Sequence, residues 1–256
     1  MPKPIRRPIL PERPCNAVTT NILTEAEFWS DVQLLFTEIE DAIAIFHTAE
    51  EINRLAVADQ EILRLLDEDV LFWKVQVYSL QASLFIILGR ILDSAPGAHS
   101  IHKVVNATLS HPEFFSKEAL AARKMAGASK PEWLDDYIAK AWAPCAVAEL
   151  RHLKKALATH NSRFVEVYRP IRHAVYAHRL ISNDQAAFEL FGKTNRDEVA
   201  AILNFLHDLI DSVQDLYVNG IRPELGKRVY GEYNQRIRNS TENVLRKLAA
   251  RLPADG

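Results

Sequence analysis

The chain of 256 residues is poor in glycine, with 8 in all, and has only two cysteines. Few glycines leave few positions for tight turns, which speaks against a many-stranded sheet. There is no Gly-rich phosphate loop, no nucleophile elbow and no Cys–His pair in a usable frame. Cys15 and Cys145 lack the paired spacing of a zinc site. Lying so far apart in sequence, they are expected to be free thiols in a reducing compartment. The longest uncharged run, residues 75–89, is interrupted by Gln76, Ser79 and Gln81. It falls short of the roughly 20 apolar residues that span a bilayer, so a buried core helix is expected there. The basic N-terminus has no apolar segment behind it and does not read as a signal peptide. These absences point to a soluble cytoplasmic protein that does not engage a membrane. No strand pattern and no internal repeat is visible.

What is present favours helix. Hydrophobic residues make up 48% of the chain, enough for a full core, and Ala, Leu, Ile, Glu and Arg are plentiful. The expected fold is all-α, a bundle of four or five long helices with short helical insertions and no sheet. Residues 1–20 form a separate arm. Pro2, Pro4, Pro8, Pro11 and Pro14 keep it extended, and Lys3, Arg6, Arg7 and Arg13 face only Glu12. It is either a solvated tail or an arm lying on a partner subunit or on nucleic acid. Residues 21–256 are read as one helical domain with an acidic helix at its start and a basic one at its end.

In chain order, Thr24-Glu-Ala-Glu27 is a capping box. Phe28, Val32, Leu35, Ile39, Ala42 and Phe46 then make one apolar stripe. The other face is acidic, with Asp31, Glu38, Glu40, Asp41, Glu50 and Glu51, and is expected to be solvated. Asp69 is expected to cap a helix over residues 70–93 that is apolar on nearly every side, which marks a central helix. Shorter helices follow on both sides of His111-Pro112 and after Pro131. From Pro144 a helix runs into Tyr168-Arg-Pro-Ile-Arg-His-Ala-Val-Tyr-Ala-His-Arg179, with Pro170 placed to kink it. Asn195 caps an amphipathic helix that Gly220 stops. The last helix, over residues 230–252, is rich in Arg and Lys. Arg236, Arg238, Arg246 and Lys247 are candidate contacts to RNA, or simply part of a solvated basic face.

Metal chemistry finds little support. Glu149-x-x-His152 has the spacing of di-iron bundles, but no second such pair exists. His99-x-x-His102 and His207-x-x-x-Asp211 lack a third ligand and read as surface side chains. The 168–179 stretch remains. Tyr168, Arg172 and Tyr176 recur every four residues and share a helix face. His178 follows Arg172 by six positions, a rotation of about 240° on an ideal helix. One chain therefore holds half a site, which a second copy across a two-fold axis would complete. Histidine moves protons near neutral pH, and arginine grips a phosphate with two parallel hydrogen bonds.

The run Arg172-His-Ala-Val-Tyr-Ala-His178 resembles the signature of HEPN proteins: an Arg, a polar residue, then a His near the end of a bundle helix. With its flanks it is similar to the HEPN-like group among bacterial abortive-infection proteins. Leu88-Gly-Arg-Ile-Leu-Asp93 is a second point of likeness, with Asp93 resembling an acidic residue that often sits near the motif. The resemblance spans about residues 60–220. It implies a homodimer whose motifs face a shared cleft, and metal-independent RNA cleavage that leaves a 2′,3′-cyclic phosphate, with no cofactor. Carried over, Arg172 polarises the phosphate and His178 acts as acid or base, with His173, Tyr176, Asp93 and Arg179 in support. His173 stands where Asn or Asp is common in the family. The implied settings are phage defence and toxin–antitoxin systems, with RNA or a nucleotide and an antitoxin or regulatory protein as partners. Other members bind nucleotides or proteins without cutting. Read without the family, Arg172 can pair with a carboxylate inside the bundle and His178 can cap the helix C-terminus.

Overall fold

A computed structural model describes residues 23–95, 97–125, 130–144, 146–177 and 193–252. The Pro-rich arm, Cys15 and Cys145 lie outside the described residues. Among the described residues every regular element is helical.

Helix α1 (Glu25–Ala58) starts at the expected capping box. The Thr24 hydroxyl accepts from Glu27 N at 3.2 Å, and the Glu27 carboxylate accepts from Thr24 N at 2.8 Å. The whole predicted stripe from Phe28 to Phe46 is buried. The acidic face departs from expectation. Asp31 is buried and held by Lys103 and His99, each at 2.6 Å. Glu51 is buried under Arg54, Glu38 meets Arg90 at 2.7 Å, and Glu50 meets Arg196 at 3.1 Å. A carboxylate tolerates burial where a cation reaches it; Arg54 is one turn on in the same helix, whereas Lys103, Arg90 and Arg196 come from elsewhere, where the sequence alone does not place them.

Helix α2 (Gln60–Glu68) is capped by Asp59, which accepts from the amides of Glu61 and Ile62. Helix α3 (Val70–Ile91) follows at once, with no side-chain cap from Asp69. The expectation of a central, fully buried helix fails here. Only Leu84, Phe85, Leu88, Gly89 and Ile91 are buried, all in the second half, while the first half turns apolar side chains to solvent. By length and composition α3 could cross a membrane, but its second half is fixed in the core against α1.

Helices α4 (Ile101–Ser110), α5 (Lys117–Met125) and α6 (Leu134–Lys140) are short. Helix α7 (Arg151–Arg163) leads through a π turn (Phe164–Tyr168), the brief α8 (Arg169–Ile171) and a second π turn (Arg172–Ala177). Helix α9 (Arg196–Asn219) is capped by Asn195, which accepts from Asp197 N at 2.7 Å. It ends at Gly220, whose φ of 61° lies in the left-handed region. A Cβ there would also come within 2.7 Å of Ala141, so glycine both ends the helix and lets α6 approach. Helix α10 (Gly231–Ala249) closes the chain. The main core joins α1, the second half of α3, α4, the α7–α8 run and α9. A smaller core joins the end of α1, α2, the inner side of α3 and the end of α10.

His47 of α1 is buried against α10, with Arg238 Nη2 3.3 Å from its Nδ1. Burial, with the Arg238 charge adding to it, lowers its pKa to about 4. Burial also lowers His102, His160 and His207. A buried neutral histidine binds its proton more readily once unfolded. Its contribution is therefore complete above about pH 6.5 and is lost as pH falls through the folded value. For His47 alone the loss is on the order of 3 kcal/mol by pH 4. Urea unfolding at pH 7 and pH 5 is expected to show the drop, and His47→Gln is expected to flatten it.

Candidate active site

The site is built by two helices that meet twice. Tyr168 is fully buried and packs on Phe85 of α3, ring centroids 6.2 Å apart. Arg172, four residues on, meets Gly89, four residues on in α3. A Cβ on Gly89 would lie 2.2 Å from Arg172 Nε, 2.3 Å from its Cδ and 2.8 Å from its Cζ. The arginine stem thus lies in a notch that only glycine leaves open. The common face read for Tyr168 and Arg172 is the face turned to α3.

Proline shapes this segment. Pro170 brings no N–H to the helix ladder, and its ring crowds the carbonyl of Glu166. Wider π turns stand on both sides; in the first, Arg169 N–H bonds Phe164 O. Each π turn takes in one residue more than an α turn, and such turns are frequent at functional sites. The ideal α-helical rotation of about 240° between Arg172 and His178 therefore does not describe this segment, since residues 172–177 are π-helical.

Arg172 is half-buried. Its Nε is shielded from solvent and has no hydrogen-bond partner among the described residues. A buried guanidinium nitrogen without a partner is costly, and it marks where an anion would be gained. His173 is exposed. The side chain of Tyr176, and all of His178 and Arg179, lie outside the described residues. Asp93 stands at the end of α3, where its Oδ1 accepts from Ala95 N at 2.9 Å. It also acts on His102, raising a pKa that burial lowers.

The way out of the motif is anchored by Tyr168. Its hydroxyl donates to Glu198 at 2.9 Å, with Asn195 O as a second acceptor within reach at 3.2 Å, and Arg163 Nε meets Glu198 at 2.8 Å. Burial, reinforced by the Glu198 carboxylate, pushes the Tyr168 phenol up to about 12. The start of α9 is thereby tied to the helix that enters the motif. Beside this clamp a cavity of about 170 Å³ is lined by apolar Leu84, Phe85 and Val199 and by polar Glu50, Gln81 and Arg196, among others.

The basic helix is less free than its sequence suggests. Arg246 is held by Glu242 and Asp59, each at 2.8 Å. Arg238 lies against His47, Arg236 covers the Tyr233 ring, and Lys247 is exposed. The histidine pairs have local roles. His152 bonds Glu149 O, and His99 bonds Asp31. His207, expected on the surface, is buried and stacked on Tyr230 at 4.1 Å, while the Tyr230 hydroxyl donates to Asp211 at 2.7 Å. Arg228 joins Asp208, Ser212 and Asp215 beside it. The sequence reading missed this polar cluster; its signal was Asp208, Asp211 and Asp215 recurring at helical steps on α9. Among the described residues no group of three or more His, Cys, Asp or Glu is placed to hold a metal ion.

The AbiU2 family model, of HEPN type, matches residues 30–244. The chain belongs to the AbiU2 family. It is thus placed in the HEPN-like abortive-infection group, and the match takes in α3, the π-helical motif and α9 together. No curated protein and no solved structure matches the chain.

Tyr168→Phe removes the hydroxyl and leaves the Glu198 and Asn195 groups short of a partner. Urea unfolding is expected to show a loss of about 1–2 kcal/mol. Unchanged stability would contradict the anchoring role.

Proposed function

We propose that this AbiU2-family protein is a metal-independent endoribonuclease of a phage-defence or toxin–antitoxin system, acting in the cytoplasm as a homodimer. Arg172 and His178, brought together from two chains, form its active site. The observation that carries the reading is Arg172 itself. Its guanidinium sits in the Gly89 notch with Nε shielded and without a partner among the described residues, in a chain whose family match spans that motif. A phosphate would supply the missing acceptor, with charge-assisted bonds stronger than those to neutral groups.

The ribose 2′-oxygen attacks the adjacent phosphorus and gives its proton to a base. The bond from phosphorus to the 5′-oxygen breaks, and that oxygen takes up a proton. The products are a 2′,3′-cyclic phosphate and a free 5′-hydroxyl, and no water or redox partner is consumed. Arg172 stabilises the charge that builds on the phosphate oxygens, and His178 is suited to one of the two proton transfers. His173, Asp93, Tyr176 and Arg179 support the groove.

A second reading, a module that binds RNA, a nucleotide or an antitoxin without cutting, draws support from the half-burial of Arg172. A guanidinium that is partly covered fits holding an anion as well as transforming one.

The purified chain is expected to cleave RNA in EDTA and to leave cyclic-phosphate ends. His178→Ala is expected to lower the rate by about 10²–10⁴-fold. Equal activity in that variant would overturn the mechanism, and salt-sensitive binding of intact RNA would favour the second reading. Gly89→Ala offers an independent check. Alanine is the better helix former by up to about 1 kcal/mol, so the fold is expected to stand. The new methyl displaces the Arg172 stem, and cleavage is expected to fall as far as in Arg172→Ala. Full activity in folded Gly89→Ala would contradict the seat.

A further inference from the structure

Residues 151–179 hold seven Arg and Lys against one acid, Glu166, in a chain whose net charge is −2. In α7 itself, Arg151 to Arg163, there is no acid at all. Arg151, Lys154 and Lys155 are exposed on α7, and Arg169 is exposed on α8. Leu153, Leu157 and Phe164 are buried on the opposite side. Arg151, Lys155, Ala158 and Ser162 follow at steps of four, three and four, so they form one line along the solvent side of the helix. Beyond Lys155 the line holds only small exposed residues, Ala158 and Ser162 with Thr159 beside them.

These charges are not neutralised within the chain. Arg151, Lys155 and Arg169 meet no carboxylate among the described residues, and Lys154 bonds the Asn106 side-chain oxygen at 3.0 Å. Arg163, on the flank, is the cation of α7 that an acid holds, through Glu198. On α10, in contrast, Arg246 lies between two carboxylates and Arg236 and Arg238 lie against rings. Arg151 and Lys155 are moreover like charges four residues apart, a spacing that weakens a helix. A polyanion laid along the line would relieve that repulsion.

We propose that this line is a track for RNA, which grips the phosphate backbone and leads it to the Arg172 seat. The inference deepens the ribonuclease reading and rests on its premise that RNA is the ligand of the motif. One continuous segment carries the track into the seat: α7 passes through the first π turn to Arg169, three residues before Arg172. The line bears no aromatic side chain on which a base could stack. Its contacts are therefore to phosphate and independent of sequence. An acidic protein fits less well, because protein interfaces centre on buried aromatic anchors. So does a lipid surface, which needs large apolar side chains to sink into it.

The test is binding of a labelled single-stranded RNA to the full chain carrying His178→Ala, so that the RNA stays whole. Fluorescence anisotropy follows affinity as salt is raised. Arg151→Gln, Lys155→Gln and Arg169→Gln together are expected to flatten the slope of log affinity against log salt by about 2, three phosphate contacts at about 0.7 each. Affinity at about 0.1 M salt is expected to fall on the order of 10²-fold. Melting is expected to hold or rise, since exposed like charges are removed. Glu166→Gln, which removes the one acid of the segment, is expected to tighten binding, a gain that misfolding cannot produce. Arg236→Gln, Lys247→Gln and Arg251→Gln remove as much charge from the last helix and its end and are expected to change the slope far less. An unchanged slope in the first variant, or an equal change in the last, would overturn the track. Weaker binding by Glu166→Gln would do the same, as would tighter binding to poly-glutamate or to phosphatidylglycerol vesicles than to RNA. Binding is read without cleavage. A chain that binds along the track and never cuts RNA therefore sinks the ribonuclease reading alone, and one that cuts RNA with an unchanged slope in the first variant sinks the track alone.

Discussion

The site depends on one close approach, Arg172 lying across Gly89. An arginine stem can cross another helix at that distance only where no Cβ stands. The glycine costs α3 some helical stability in its interior. In return the arginine stem is seated against the helix end, with Nε shielded and without a partner among the described residues. One turn back, Tyr168 repeats the contact on Phe85, and its hydroxyl carries the link on to Glu198 and Asn195. The two contacts together hold the π-helical motif against α3 on one side and the start of α9 on the other.

Pro170 explains why the motif departs from an ordinary helix. Widening the turns on either side lets the chain pass a residue that cannot donate. The backbone of residues 172–177 is then π-helical, and α-helical spacing does not describe it. The segment is irregular where its chemistry-bearing residues lie, while α1 and α9 around it are regular and well capped. That contrast suits a rigid frame holding a specialised turn.

Much of the frame could be read from the residues. The Thr24 capping box, the stripe from Phe28 to Phe46, the Asn195 cap and the Gly220 stop are local signals, and each is where its pattern places it. What could not be read depends on distant partners. Asp31 looks like a member of a solvated acidic face until Lys103 and His99 are brought to it from the far side of α3 in sequence. Helix α3 looks central because it is apolar all round, yet composition cannot say whether its outer side is covered by this chain or by another. Arg172 and Asp93 were legible as candidates through the family resemblance. The role of Gly89 was not, because it is a contact between two helices far apart in sequence.

The central claim is that one chain carries half a site. Mixing Arg172→Ala chains with His178→Ala chains tests it most directly. If the site takes Arg172 from one chain and His178 from its partner, mixed dimers hold one intact site, and cleavage is expected to recover to about a quarter of the wild-type rate. A mixture no more active than either variant alone, with subunit exchange demonstrated, would contradict the account.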